Sequence, residues 1–239
     1  ATHISGKIEL VSVMLVNNEL GTVQPIKELS AIAHEQGTIF HTDAVQAMGH
    51  IKIDVKDLGV DLLSASAHKF NGPKGIGFLY IKKGTSIRPL INGGDQEFRQ
   101  RAGTENIASI VGMAVALKNN CDHIEANSLY IKKLEGIVLE EIKGIDFVLN
   151  CDKERKPGIM SISFPGRDGE LLLHRLDLKG IMISTGAACN SVNTQISHVL
   201  SALEMDESVA KGTIRISLSK DNTEDEAHRI GQALCEILQ

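Results

Sequence analysis

Residues 10–16 have the sequence LVSVMLV, a nearly continuous apolar run that is rich in β-branched valine. Runs of this kind are typical of strands that are buried on both faces of a parallel sheet. The next segment, Ile26 to Gln36, has apolar residues on one helical face and lies between Pro25 and Gly37, residue types that commonly start and end a helix. A strand followed by a helix in this way favours an α/β fold.

The same alternation continues along the rest of the chain. Further strands are predicted at 38–42, 61–65 and 76–81, and two long helices follow at 107–118 and 122–142. For the rest of the sequence, the pattern predicts three strands that alternate with three helices. In order they are a strand at 159–164, a helix at 169–178, a strand at 181–184, a helix at 195–203, a strand at 213–218 and a helix at 223–238. We therefore expect a large mixed-sheet domain, residues 1–110, and a second part, residues 111–239, made of bridging helices and a small α+β domain.

Composition excludes several classes of protein. The 239 residues are 42% hydrophobic, enough for a full core, and carry a net charge of -5 without any cluster of Lys and Arg. A nucleic-acid partner is therefore not expected. No segment approaches the roughly 20 apolar residues of a membrane span and no signal-peptide pattern is present, so a cytoplasmic protein without a membrane partner is predicted. Residues 1–5 lack an initiator Met and lead straight towards a strand, so we expect that an N-terminal segment is missing.

The four cysteines are widely separated, which matches neither a paired-cysteine metal site nor a disulfide framework. Cys121, Cys151 and Cys235 have helical or strand-end settings and are predicted to be structural thiols. Cys189 differs because it lies in a small, polar stretch, STGAACNSVN at residues 184–193, which is typical of a loop. A lone cysteine is more often a small buried residue than a nucleophile, so residue type alone leaves both readings of Cys189 open.

Candidate functional side chains follow two of the predicted strands. Asp43 comes directly after one strand, and Ser66, His68 and Lys69 follow the next. Because ligands of open α/β sheets bind outside the carboxyl ends of the strands, we expect a carboxylate and an amine at the same edge of the sheet. Pyridoxal phosphate (PLP) requires such a pair, a lysine amine for a Schiff base and a carboxylate beside its pyridine nitrogen.

The residue types alone leave simpler explanations open. Asp43 can cap the segment that follows its strand. Lys69 can be a solvated surface lysine and His68 a hydrogen-bonded structural imidazole, which are the commoner settings of these residue types.

Seven motifs occur in order along the chain: VMLVNNELG (13–21), HTDAVQ (41–46), SASAHK (64–69), NGPKGIG (71–77), RAGTEN (101–106), the cysteine loop (184–191) and TIRISL (213–218). In sequence, order and spacing they resemble the successive motifs of cysteine desulfurases. The resemblance covers essentially the whole chain. It implies the PLP-dependent transferase fold type I, with this chain as the C-terminal part of the large domain plus the small domain.

The same resemblance implies roles for the residues that would hold the cofactor. Lys69 would bind PLP covalently, Asp43 would pair with the pyridine nitrogen, and Gln46 and Asn18 would lie beside the ring and its phenolic oxygen. The phosphate would be held by Ser66, His68 and, from the neighbouring subunit, Thr104. A homodimer with a shared active site is therefore expected.

Substrate-binding and catalytic roles follow from the resemblance as well. Arg215, together with Asn18, would bind the substrate carboxylate, for which a planar guanidinium is well suited. Cys189 would take the sulfur of bound cysteine as a persulfide, with His68 as a candidate proton acceptor. A free thiol has a pKa near 8.5, so this attack requires a base or cation that generates the thiolate. No resident metal is expected, apart from a transient iron–sulfur contact at Cys189.

The activity implied is that of a cysteine desulfurase, which converts L-cysteine to L-alanine and passes the sulfur to an acceptor or iron–sulfur scaffold protein for cluster assembly or thiolation. A selenocysteine lyase or related PLP lyase is an alternative, since the same lysine and carboxylate serve several eliminations. An alternative of another class is a non-catalytic fragment or subunit that docks sulfur-transfer partners, which the missing N-terminal region favours.

Overall fold

The computed structural model describes residues 8–151, 154–185 and 196–239. The chain forms two compact units. The first contains the chain up to Leu15 together with Gln24–Ile124, and the second contains Val16–Val23 together with Glu125–Gln239. The short segment Val16–Val23 therefore belongs to the second unit, although residues of the first unit precede and follow it in the sequence.

A four-stranded mixed sheet is the central element of the first unit. Its strands lie in the order β1-β2-β3-β4, with the first three parallel and the last antiparallel to its neighbour. The strands are β1 (Leu10–Met14), β2 (Ile39–Asp43), β3 (Leu62–Ser66) and β4 (Gly77–Ile81), and the helices are α1 (Ile26–Glu35), α2 (Val55–Leu58) and α3 (Ile107–Asp122). The mixed sheet with helical connections confirms the predicted α/β class.

The sequence signals explain where the elements of the first unit start and stop. Helix α1 starts after Pro25, and the chain reverses at Gly37, whose φ is +70°. In β2 the residues Phe40 and Thr42 are buried, whereas the alternate residues are only partly buried. Strand β1 departs from expectation. It pairs only with β2 among the described residues, and Leu10 is 52% exposed, so the prediction that it is buried on both faces is wrong.

The second unit is built on a three-stranded antiparallel sheet in the order β5-β6-β7. Strand β6 is buried along its whole length, because helices cover it. The core is formed by apolar side chains of these helices and strands, among them Leu134, Met160, Ile162, Leu176, Ile214 and Leu234. The strands are β5 (Val148–Leu149), β6 (Ile159–Ser163) and β7 (Thr213–Ser217), and the helices are α4 (Ile124–Glu141), α5 (Gly169–Asp177), α6 (His198–Ala202), α7 (Glu207–Ala210) and α8 (Glu224–Leu238).

Two predictions for the second unit need correction. Residues 181–184 do not form a strand, because Ser184 alone makes a single β-bridge, with Arg215. The helix predicted at 195–203 is shorter, with His198–Ala202 as its described extent. Strand β5 and helix α7 were not predicted, since elements of two and four residues are too short to show a period.

Helix α8 illustrates how local signals and burial agree. The Thr223 hydroxyl accepts a hydrogen bond from the Glu226 amide, and the Glu226 carboxylate accepts one from the Thr223 amide, which is a capping box. Ala227, Leu234 and Leu238 then bury one face. In the parts of the chain that the structure describes, no helix is both long and apolar enough to span a membrane.

Asp61 ties three elements of the first unit together just before β3. Its carboxylate accepts hydrogen bonds from the Phe40 amide (2.9 Å), His34 Nε2 (2.7 Å) and Lys82 Nζ (3.1 Å). Burial alone would raise the pKa of Asp61, but these three hydrogen bonds outweigh it and hold the pKa below its ordinary value. The ionised carboxylate therefore stabilises the fold.

We expect Asp61→Asn to lower the free energy of unfolding at pH 7 by about 2 kcal/mol, because the buried Phe40 amide and the side chains of His34 and Lys82 lose a charged acceptor. Since the folded-state pKa is depressed, the stabilisation is present above the unfolded pKa of about 3.9 and is lost as pH falls through the folded-state value. Denaturant unfolding at pH 7 and near pH 3 should thus show the difference from wild type shrinking in acid. Asp146→Asn, at an exposed carboxylate, is the control. An equal difference at both pH values would contradict this role.

Candidate active site

The carboxyl ends of β2 and β3 carry Asp43 and Ser66. The two strands are parallel neighbours, with Asp43 opposite Ser64, and Ser66 lies two residues further on the same face. His68 and Lys69 lie in the 3₁₀ helix Ala67–Phe70 that follows β3 directly. A carboxylate, a hydroxyl, an imidazole and an amine therefore belong to one edge of the sheet.

Asp43 is half-buried and shapes the turn that follows β2. Its Oδ1 accepts a hydrogen bond from the Val45 amide at 2.8 Å. This is the capping contact that residue type alone suggests, and it uses one of the two carboxylate oxygens. Capping does not prevent a second role, because a carboxylate can accept several hydrogen bonds.

The turn that carries Lys69 is fixed through its main chain. His50 Nε2 donates to the Lys69 carbonyl (2.7 Å), and the buried Asn120 of α3 donates to the Phe70 carbonyl (2.8 Å). The Gly72 amide closes the turn on the Ala67 carbonyl (2.8 Å). The side chain of Lys69 is left exposed. The backbone is thus held firmly while the amine stays accessible for chemistry.

Ser66 and His68 form a pair of hydrogen-bonding groups beside this turn. The Ser66 hydroxyl and His68 Nδ1 are 2.9 Å apart. Whichever atom donates, the contact keeps the hydroxyl and the imidazole side by side. Two such groups next to an exposed lysine suit an anionic group such as a phosphate.

A further polar group on this face was missed by the sequence reasoning. His41 lies two residues before Asp43 on β2, and its ring bridges two serines, with Nδ1 2.7 Å from Ser12 Oγ and Nε2 3.2 Å from Ser64 Oγ. Burial lowers the pKa of His41, and the negative charge of Asp43 opposes that shift. The signal was present as His-x-Asp on a strand, a spacing that places both side chains on one face.

In the second unit, Arg215 lies in the middle of β7, and its guanidinium donates to two acceptors on described residues. Nη1 donates to the main-chain carbonyl of Asn18 (3.1 Å), and Nη2 donates to the Ser184 hydroxyl (3.3 Å). Ser184 also exchanges main-chain hydrogen bonds with Arg215. The sequence reasoning placed Ser184 at the end of a predicted strand and at the start of the cysteine loop, and nothing in the sequence indicates its pairing with Arg215.

The remaining predicted residues have fewer described contacts. Gln46 is half-buried in the turn after β2, and Thr104 is exposed before α3. Neither side chain makes a hydrogen bond to another described residue. Cys189 lies outside the described residues. Asn18 and Arg215 belong to the second unit, whereas Gln46 and Thr104 belong to the first.

Comparison with known proteins identifies the family. The model of the aminotransferase class-V family matches residues 1–230. The chain belongs to this family. A curated relative, the cysteine desulfurase IscS of Dictyoglomus turgidum, is 45% identical over 233 residues, which cover 96% of this chain and 59% of the relative.

Solved structures of similar proteins agree with this family. A NifS-like protein has a TM-score of 0.90 and 37% identity, and the match covers 99% of this chain and 63% of that protein. SspA in complex with cysteine has a TM-score of 0.77 and 35% identity, and the match covers 93% of this chain and 62% of SspA. The chain thus spans about three fifths of the length of these relatives. The likeness confirms both the resemblance to cysteine desulfurases and the predicted fold type I.

We expect Asp43→Asn to lower the pKa of His41 further, because the carboxylate charge that favours the imidazolium is removed. An NMR titration of the His41 ring in the purified protein measures this directly. Asp57→Asn, which removes an exposed carboxylate paired with Lys27, should leave the His41 titration unchanged. An unchanged or higher pKa in Asp43→Asn would show that the two groups do not interact.

Proposed function

We propose that the protein is a PLP-dependent cysteine desulfurase, which converts L-cysteine to L-alanine and carries the removed sulfur as a persulfide on Cys189. The observation that carries the proposal is the group of side chains at the carboxyl edge of the first sheet, Asp43, Ser66, His68 and Lys69. These residues occur in a chain that is 45% identical to a cysteine desulfurase.

The chemistry of this group fits PLP. The exposed amine of Lys69 can react with the cofactor aldehyde, and the Asp43 carboxylate can keep the pyridine nitrogen protonated. Ser66 and His68 share one hydrogen bond, so whichever of the two accepts it can still donate its own proton to the phosphate. When bound, PLP supplies the electron sink for the substrate bond that breaks. In this proposal the cofactor site is completed by Gln46, Asn18 and, from the partner subunit of a homodimer, Thr104.

Arg215 is the residue that we assign to the substrate carboxylate, together with Asn18. A guanidinium presents parallel N–H groups that match the two oxygens of a carboxylate. The Asn18 carbonyl and the Ser184 hydroxyl, which accept hydrogen bonds from Arg215, restrict the orientation of this planar group. The similar protein SspA has been solved in complex with cysteine, which agrees with an amino-acid substrate for this chain.

Cys189 is assigned as the sulfur acceptor. Sulfur leaves Cβ of the substrate, forms an S–S bond with the Cys189 thiolate, and a proton on Cβ completes alanine. Partial desolvation raises the pKa of the exposed Cys121 thiol and of the half-buried Cys235 thiol, and the carboxylates of Asp122 and Glu141 raise it further. Raised pKa values make these two thiols poorer nucleophiles at neutral pH, which argues against both of them as the sulfur acceptor.

His68 is the candidate that accepts the Cys189 proton. From Cys189 the sulfur would pass to an acceptor or iron–sulfur scaffold protein in the cytoplasm, for cluster assembly or thiolation.

Lys69→Ala should abolish the absorbance near 420 nm that a PLP-bound lysine gives, because the amine that bonds the aldehyde is removed. The protein is incubated with PLP, freed of excess and scanned before and after borohydride. Lys74→Ala removes a nearby exposed lysine outside the proposed site and should keep the band. A band that persists in Lys69→Ala would place the cofactor elsewhere.

Cys189→Ser should reduce alanine formation from L-cysteine by about 100-fold or more, because the nucleophile is lost. Mass spectrometry of wild-type protein after cysteine addition should find one extra sulfur on the Cys189 peptide. Cys121→Ser is the matched control and should keep both signals. If Cys189→Ser lost no activity towards cysteine, or if the extra sulfur lay on another cysteine, the assignment would be refuted. A protein that turns over selenocysteine but not cysteine, and keeps the selenocysteine turnover in a Cys189→Ala variant, would be a selenocysteine lyase instead.

A further inference from the structure

The segment Val16–Val23 is fixed into the second unit by its main chain. Val16 and Val23 pair across its base. The Val23 amide donates to the Glu154 carbonyl (2.7 Å), and the Lys156 amide donates to the Gly21 carbonyl (2.9 Å). The segment therefore runs beside residues 154–156 along its second half.

Within this segment the Asn17 side chain builds the turn that presents Asn18. Asn17 Oδ1 accepts hydrogen bonds from the amides of Glu19 and Leu20, both at 2.9 Å. The Asn17 carbonyl accepts the Gly21 amide at 2.9 Å. Such side-chain contacts to the next amides are the usual way in which Asn fixes a turn. They leave the Asn18 carbonyl to accept Arg215 Nη1.

Gly21 lets the turn lie directly on Arg155. Its φ is +77°, and a Cβ at this position would be 2.9 Å from Arg155 Cγ and 3.2 Å from the Ile159 carbonyl oxygen. Only glycine fits both the backbone angle and the space. The position of the Arg155 side chain therefore determines how closely the turn can pack.

Arg155 itself is held by a buried ion pair with Glu135 of α4. Nη1 and Nη2 contact the two carboxylate oxygens at 2.7 and 2.8 Å, and the side chains are 12% and 5% exposed. Glu135 also accepts the Gly158 amide (2.7 Å), and Arg155 donates to the Ile159 carbonyl (2.8 Å). Each of these contacts fixes a direction in space, so Arg155 is a rigid support for the turn.

We propose that Ser184 and the turn of residues 17–22 are a positioning device for Arg215. The Ser184 hydroxyl and the Asn18 carbonyl set the plane of the guanidinium, and the Glu135–Arg155 pair sets the turn. These are positioning residues, because they act on the substrate carboxylate only through Arg215. The benefit for substrate binding rests on the proposed function, since it assumes that Arg215 binds a carboxylate. The effect on the guanidinium itself does not.

The first test uses Ser184→Ala, with Ser184→Thr to restore the hydroxyl and Ser217→Ala as an exposed control on the same strand as Arg215. In the PLP-loaded protein, Ser184→Ala should raise KM for L-cysteine by about 3- to 10-fold with kcat changed less than about twofold, as expected when one hydrogen bond is lost. NMR of the cofactor-free protein should show faster rotation about the Nε–Cζ bond of Arg215. Ser184→Thr should return both values to wild type, and Ser217→Ala should change neither.

The second test replaces the ion pair as a unit, with Glu135→Met and Arg155→Met together, so that no buried charge is left unpaired. A folded double variant, checked by denaturant unfolding, should show faster rotation of Arg215 and a higher KM. If the rate of rotation about the Nε–Cζ bond of Arg215 stayed at its wild-type value in both Ser184→Ala and the folded double variant, the inference would be overturned. A fall in kcat without a rise in KM would also overturn it. If wild-type protein did not turn over cysteine, the proposed function would fail, and the rotation rates would decide the inference alone.

Discussion

The parallel pairing of β2 with β3 is the constraint on which the candidate site of the first unit depends. Parallel strands must be joined by a crossover, here through α2, so both strands end at the same edge of the sheet. Buried Phe40, Thr42 and Leu63 fix the register, because a slip of one residue would turn them towards the other face. Asp43 and Ser66 then occupy neighbouring strand ends without any direct bond between them.

Asp61 and Asp43 lie at the ends of neighbouring strands but differ in the hydrogen bonds that their carboxylates accept. Asp61 has a structural role, whereas Asp43 is available for a chemical one. Asp61 receives three hydrogen bonds from groups on α1, β2 and the residue after β4, and its charge is used by the fold. Asp43 receives one hydrogen bond from a described residue, the Val45 amide, and remains half-buried. Its neighbour His41 has a pKa lowered by burial, so the His41 ring adds no positive charge beside Asp43 at neutral pH. Asp43 can therefore offer its charge to a ligand.

Most helices and strands could be predicted from signals between residues close in the sequence, such as Pro25 and Gly37 at the two ends of α1. Predictions from these local signals failed where contacts between distant residues determine the structure. Residues 181–183 are apolar enough for a strand, yet only Ser184 finds a partner. The run at 10–16 continues without a break in the sequence, although the chain passes to the second unit after Leu15. The roles of His41 and Ser184 depend in the same way on partners 23 to 31 residues away, which periodicity cannot supply.

The Glu135–Arg155 pair is best explained by geometry rather than by stability. An exposed pair such as Lys133–Glu224 contributes about 0–1 kcal/mol. A buried pair of this kind is often no more stable than apolar residues of similar volume, although removing one partner costs about 3–5 kcal/mol. Apolar side chains would fill the same space without fixing directions. Glu135 and Arg155 together hold the Gly158 amide and the Ile159 carbonyl, and Gly21 packs on the result. In the proposed device a charged pair suits this place, because the turn that packs on Arg155 presents one carbonyl, that of Asn18, to Arg215.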